Sequence, residues 1–191
     1  GIPQALPAVL TITMTVGAHR LAQKNAIVSK LAAMEEMAGL ETLCADKTGT
    51  LTKNQLELQD PILIDTEDKN EMIVTAALTI PEKSEDPIDE AVYAGLEDKD
   101  QLQRFDIQDF RPFDSARKRA EADVKVDDTE FTACKGASQV LLDLAEADEE
   151  KRKKVMNHVE ELGKKGFRAL GVAKKEGGNW RYLGILPLLD P

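Results

Sequence analysis

The chain has 191 residues, 35 acidic against 25 basic side chains, a net charge of −10 and a 42% hydrophobic content. That length can bury one good core or two small ones. The apolar fraction argues against a disordered chain, and the acidic balance argues against nucleic acid as a partner, because that needs a basic face. Cys44 and Cys134 are too few for a disulfide framework or a Cys-based zinc site and suit a reducing compartment. The start at Gly1 and the end at Asp190-Pro191 lead to the expectation of a piece of a longer protein.

Charge is unevenly placed. Residues 1–34 contain no acid, whereas residues 57–100 hold 14 acids against three lysines, so the two segments are expected to have different surroundings. Ile2 to Ala18 is apolar and uncharged, interrupted by Pro3 and Pro7 and followed by His19, Arg20 and Lys24. A buried core helix and the second half of a membrane helix both fit this stretch, which is short for a full span. Leu21 to Met37 reads as an amphipathic helix closed by Gly39, and Leu40 to Ala45 as a buried parallel strand ending at Asp46. Arg119 to Val126 alternates apolar and charged residues. It is expected to form an antiparallel strand with Ala120, Ala122, Val124 and Val126 inward, a turn at Asp127-Asp128, and a return over Phe131 to Cys134. A second hairpin is expected from Ala169 to Leu186 around Gly177-Gly178-Asn179. Between the hairpins the spacing of Val155, Val159 and Leu162 predicts a helix with Asp148 as N-cap.

The string Asp46-Lys47-Thr48-Gly49-Thr50-Leu51-Thr52 carries the clearest chemistry. An aspartate at the end of a buried strand sits where open α/β sheets place ligands, and its carboxylate is a candidate nucleophile toward a phosphoryl group. Lys47 supplies positive charge, Gly49 permits close backbone approach, and the hydroxyls of Thr48 and Thr50 can donate to phosphoryl oxygens. An Asx-turn aspartate explains Asp46 alone but not the whole string. Further along, Phe113 lies near Arg111, Arg117, Lys118 and Arg119, an aromatic within a locally basic patch, as a stacked base and an anionic nucleotide require.

The seven-residue string is that of the P-type ATPases, and the chain resembles them over essentially its whole length. The resemblance implies an α/β fold: the start of a haloacid-dehalogenase-like Rossmann phosphorylation domain with an inserted α+β nucleotide-binding domain of antiparallel sheet plus helices. It implies Asp46 as the phosphorylated residue, with Lys47 and Thr48 beside it and Asp46 and Thr48 helping to bind Mg²⁺. It also implies ATP contacts at Asp89, Phe113, Lys118, Lys135, Gly136 and Arg168, carried by Phe110-Arg111-Pro112-Phe113, Lys135-Gly136-Ala137 and Gly166-Phe167-Arg168. Ser138 stands where the family often has proline, and Ser115 where calcium pumps carry arginine.

The implied division is residues 1–18 as the second half of a transmembrane helix, 19–39 as a stalk helix and 40–58 as the first part of the phosphorylation domain. Residues 59–188 are then the nucleotide-binding domain and 189–191 the start of a return hinge. The break Pro3-Gln4-Ala5-Leu6-Pro7 has neither the cysteine of heavy-metal pumps nor the glutamate of several cation pumps. It resembles the plasma-membrane proton pumps, with Pro3, Leu6 and Pro7 on the ion path and the proton-binding carboxylate expected on a later helix. The resemblance therefore implies a multi-pass pump of the cell membrane, anchored through residues 1–18, with most of this chain on the cytoplasmic side. ATP, Mg²⁺, a transported proton or other cation, lipid and the rest of the pump would be its partners, and the chain alone is expected to be inactive. Rival readings are a nucleotide-binding module without turnover and a related phosphatase. The phosphatase is disfavoured because Thr48 stands where a proton-transferring aspartate is needed. A P-loop NTPase is disfavoured, since the chain contains no G-x-x-x-x-G-K-S/T motif.

Overall fold

A computed structural model describes residues 5–42, 44 and 55–190. The chain divides into two units, Gly1–Ala45 and Asp46–Pro191. In the first, helix α1 spans Leu6–Ala22 with Pro7 in its first turn, where a missing N–H costs nothing. Its threonines would disfavour a helix in water, but their hydroxyls donate to the carbonyls four residues back: Thr11 to Pro7 at 2.9 Å, Thr13 to Val9 at 2.9 Å and Thr15 to Thr11 at 2.8 Å. None of the residues of α1 is buried within this chain. Among the described residues no helix is long and apolar enough to cross a membrane.

The single helix expected over Leu21 to Met37 is two helices. Asn25 takes a left-handed φ of 60°, which asparagine tolerates better than most residues. The amide of Ala26 then donates to the Leu21 carbonyl and that of Asn25 to the Ala22 carbonyl, closing α1 in a Schellman motif. Helix α2 covers only Ala32–Ala38, ending at Gly39 as expected. Leu40 to Thr42 and Cys44 are not in a strand. A parallel strand needs a parallel neighbour, and every strand pairing described here is antiparallel. Leu43, Ala45 and Asp46 lie outside the described residues.

The second unit is a mixed α/β body built on one seven-stranded antiparallel sheet. Its strands are β1 (Glu57–Leu58), β2 (Ile62–Leu63), β3 (Asp106–Asp114), β4 (Arg119–Val126), β5 (Thr129–Gly136), β6 (Phe167–Glu176) and β7 (Asn179–Leu189). The order is β1-β7-β6-β5-β4-β3 with β2 also on β7, which leaves β3 as an edge strand. Both expected hairpins form. Val126 faces Thr129 across Asp127-Asp128, and Glu176 faces Asn179 across Gly177-Gly178. Positive φ at both glycines is what a two-residue hairpin turn of this hand requires.

Helices cover both faces of the sheet. On one, α3 (Lys69–Ala77) and α4 (Pro87–Ala94) contribute to a core of Met72, Val92, Val124, Val172, Leu183 and Leu186. On the other, α5 (Ser138–Leu144) and α6 (Glu149–Lys164) pack Leu141, Leu142 and Val155 against Cys134, Tyr182 and Ile185. Adjacent Val172 and Ala173 fall in different cores, as strand alternation demands. The capping aspartates are visible: Asp68 accepts from the Asn70 amide, Asp86 from Ile88 and Asp148 from Lys151, at 2.8, 2.8 and 2.7 Å. Each such cap is worth about 1 kcal/mol.

The β4 alternation holds except at Glu121, expected outward but only 7% exposed. Its carboxylate is covered by Arg111 at 2.9 Å and Arg119 at 2.5 Å, which neutralise the charge that burial would penalise.

Candidate functional site

A cleft of about 410 Å³ opens between α4, the loop before it and strands β3 to β6, within the size range of small-molecule sites. Its wall is mostly apolar, with Phe110, Pro112, Phe113, Ala120 and Leu170 on the sheet side and Ile88 on α4. The polar groups are few and convergent: Thr79, Ser84, Asp86, Asp89 and Lys135.

Local chemistry explains how each is placed. Asp86 caps α4 and Pro87 starts it, so Asp89 falls in the first turn, where the helix dipole favours an anion. Lys135 lies on β5 opposite Ala120 and shares the cleft face with it. The two ends meet in an ion pair between the Lys135 ammonium and the Asp89 carboxylate, with 7% and 11% of the side chains exposed. The Ser84 hydroxyl donates to the other Asp89 oxygen at 2.6 Å. Burial pulls Lys135 below the usual lysine range, and Asp89 opposes that shift.

Phe113 is 63% exposed at the cleft rim. Phe110 and Phe113 are three residues apart, which in a regular strand would put them on opposite faces. The β3–β4 register shifts between Arg111 and Asp114, and both rings line the cleft. Bulges re-aim side chains in this way beside functional sites.

Of the residues singled out from the sequence, Asp89, Phe113 and Lys135 are brought together here. Lys118, exposed on the turn between β3 and β4, does not line the cleft, and neither do Gly136 and Arg168. Gly136 has a packing reason to be glycine: a Cβ there would come within 2.4 Å of the Lys118 carbonyl and 2.7 Å of Arg119 Cβ. The basic patch also needs correction. Arg111 is tied to Asp109, Glu121 and Asp123 at 3.2, 2.9 and 2.9 Å, and Arg119 to Glu121, so their positive charge is largely spent. Burial pushes the Asp123 carboxyl up, but the Thr132 hydroxyl and Arg111 outweigh it and hold it below the usual range. Sequence reasoning missed Ser84, although its position before the Asp86-Pro87 helix start was a usable signal.

Pro3, Asp46, Lys47 and Thr48 lie outside the described residues. Leu6 and Pro7 open α1. Among the described residues, no group of three or more His, Cys, Asp or Glu is placed to hold a metal ion.

No family model matches the chain. A Methanocaldococcus jannaschii protein named "Putative cation-transporting ATPase MJ1226" is 50% identical over 195 residues, covering all of this chain and 24% of that protein. Plasma membrane ATPase 1 of Saccharomyces cerevisiae is 43% identical over 203 residues and the plasma membrane ATPase of Neurospora crassa 44%, again over all of this chain and 22% of each relative. The chain belongs to the P-type ATPases. It spans about a quarter of the length of the curated relatives it matches. The antiparallel sheet with helices on both faces is consistent with the α+β nucleotide-binding region of a P-type ATPase. That family implies ATP and Mg²⁺.

Proposed function

We propose that residues 59–188 bind ATP in this cleft as the nucleotide domain of an ATP-driven cation pump. In this reading residues 40–58 begin the Rossmann phosphorylation domain, 1–18 and 19–39 are the membrane half-helix and stalk, and 189–191 start the return hinge. The observation that carries it is the convergence on one apolar cleft of Phe113 and Lys135, 22 residues apart in the chain and on different strands. Phe113 offers a face for the adenine ring, and its exposure means that stacking displaces water rather than protein. Lys135 offers a charge to the nucleotide, and Asp89 keeps that charge in place until ligand arrives. Lys118, Gly136 and Arg168 are assigned supporting roles around the bound nucleotide.

The Asp46 carboxylate would then attack the γ-phosphorus, forming an aspartyl-phosphate while the bond to the leaving ADP oxygen breaks. Lys47 and Thr48 steady the transferred group, and Mg²⁺, held by Asp46 and Thr48, supplies charge neutralisation when bound. We read the transported ion as a proton and the parent as a translocase of the cell membrane. The uncharged break from Pro3 to Pro7 gives a hard cation no anionic ligand, whereas a proton needs only one carboxylate elsewhere.

Titration with a fluorescent ATP analogue tests the site. Losing one charge-assisted hydrogen bond costs about 1.5–3 kcal/mol, so Lys135→Ala should weaken binding about ten- to a hundredfold. Equal affinity in wild type, Lys135→Ala and Phe113→Ala rejects it. For the parent pump, Asp46→Asn should abolish hydroxylamine-labile labelling from ATP, and vesicles carrying a pH dye should acidify on ATP without added Ca²⁺, K⁺ or Na⁺.

A further inference from the structure

We infer that Arg111 is a positioning residue for Phe113: its guanidinium clamps the bulged edge strand β3 to β4 and thereby holds the Phe113 ring at the cleft rim. The inference rests on the reading of the cleft as an adenine-nucleotide site.

Three observations make a clamp necessary. Among the described residues β3 is an edge strand, held by backbone hydrogen bonds on one side only. Pro112 removes an N–H from the segment that carries Phe113. The register shift between Arg111 and Asp114 interrupts the ladder at the same place. A short edge segment with so few backbone bonds would swing freely, and its exposed ring would be spread over many positions.

Arg111 answers each of these. It sits opposite Glu121, one residue before the proline, on the sheet face away from the cleft. Its planar fork reaches Glu121 and Asp123 on β4, both at 2.9 Å, and Asp109 on β3 at 3.2 Å. Asp123 is itself held by the Thr132 hydroxyl on β5 at 2.7 Å, so the clamp continues into the sheet interior. Beyond the bulge, the Arg117 side chain donates to the Pro112 carbonyl at 3.2 Å, and Asp114 accepts from the amides of Ala116 and Arg117 at 3.1 and 2.8 Å. The Phe113 segment is thus pinned on both sides by groups that never face the cleft. Arginine suits this place because it is always charged and offers several donors in a rigid plane, which lysine cannot match.

A double-mutant cycle tests the inference on the full chain, with affinity for a fluorescent ATP analogue and unfolding midpoint read together. Arg111→Met should weaken nucleotide binding by about three- to tenfold, in line with couplings between residues sharing a backbone shift. In the Phe113→Ala background the same change should leave affinity unaltered while lowering the midpoint as before. Arg111→Lys, which keeps a charge but not the fork, should fall between and serves if Arg111→Met does not fold. Affinity losses that add in the double variant, or unchanged affinity in Arg111→Met and Arg111→Lys, overturn the clamp while leaving the cleft assignment intact. Unchanged affinity in Phe113→Ala also overturns the clamp, and the cleft assignment falls with it only if Lys135→Ala is unchanged as well.

Discussion

Replacing Asp89 by alanine leaves the Lys135 ammonium buried without its counter-charge, and the cost follows from the geometry. Lys135 is only 7% exposed, its partner is removed, and the Ser84 hydroxyl loses its acceptor as well. Breaking a buried pair from one side costs about 3–5 kcal/mol. With a urea slope of about 1–3 kcal/mol/M, the unfolding midpoint should fall by about 1–5 M. Trp180, the one tryptophan, lies on β7 in the second unit and reports that transition by fluorescence. The pH dependence fixes the mechanism. Burial already holds Lys135 below its usual 10.5, and Asp89 works against that. Without Asp89 the folded value drops further. The unfolded chain then binds the extra proton, so stability rises with pH between the lowered folded value and 10.5. The deficit relative to wild type should therefore be largest at neutral pH and shrink toward pH 10. Adding Lys135→Met to an Asp89→Leu variant removes both charges and should restore much of the loss. A deficit below about 1 kcal/mol at pH 7, or one equal at pH 7 and pH 10, refutes the reasoning, because an uncompensated buried ammonium predicts neither.

Other positions give sharper structural checks. Gly184→Ala would bring a Cβ within 2.1 Å of the Ile62 carbonyl and 2.9 Å of Met72 sulfur. It should destabilise by about 1–3 kcal/mol in urea unfolding, as overpacking does. Cys44 is exposed, whereas burial pushes the Cys134 thiol up to about 12. A thiol reagent should thus modify one cysteine in the native chain at pH 8 and both in denaturant. Asp148→Ala removes the cap on the Lys151 amide and should cost about 1 kcal/mol without changing nucleotide affinity.

The hairpins were legible in the sequence because their information is local. Alternation from Arg119 to Val126 and the Gly177-Gly178 turn each place residues next to one another along the chain, and the structure reproduces both. The caps at Asp148 and Gly39 were readable for the same reason. The seven-residue string from Asp46 identified the family without any coordinates. Three stretches were not legible. The acid-rich run over 57–100 hid α3 and α4, since charged flanks mask the apolar positions Met72, Val74, Ala91 and Val92 that face the core. Strand β3 was obscured by Pro112 and by a bulge that breaks the two-residue period. The continuous helix read over Leu21 to Met37 gave way at Asn25, where a left-handed residue closes a Schellman cap.

What tertiary structure alone decided is which charges meet. Asp89 and Lys135 are 46 residues apart and become partners only in the folded unit, where α4 and β5 line the same cleft. Arg111 looked like part of a nucleotide-attracting patch, yet the pairing of β3 with β4 turns it to the reverse face against three carboxylates. Sequence records periodicity and short-range chemistry, because those depend on neighbours along the chain. The energy of a charge depends on burial and on what lies within a few ångströms, and those are properties of the packed sheet.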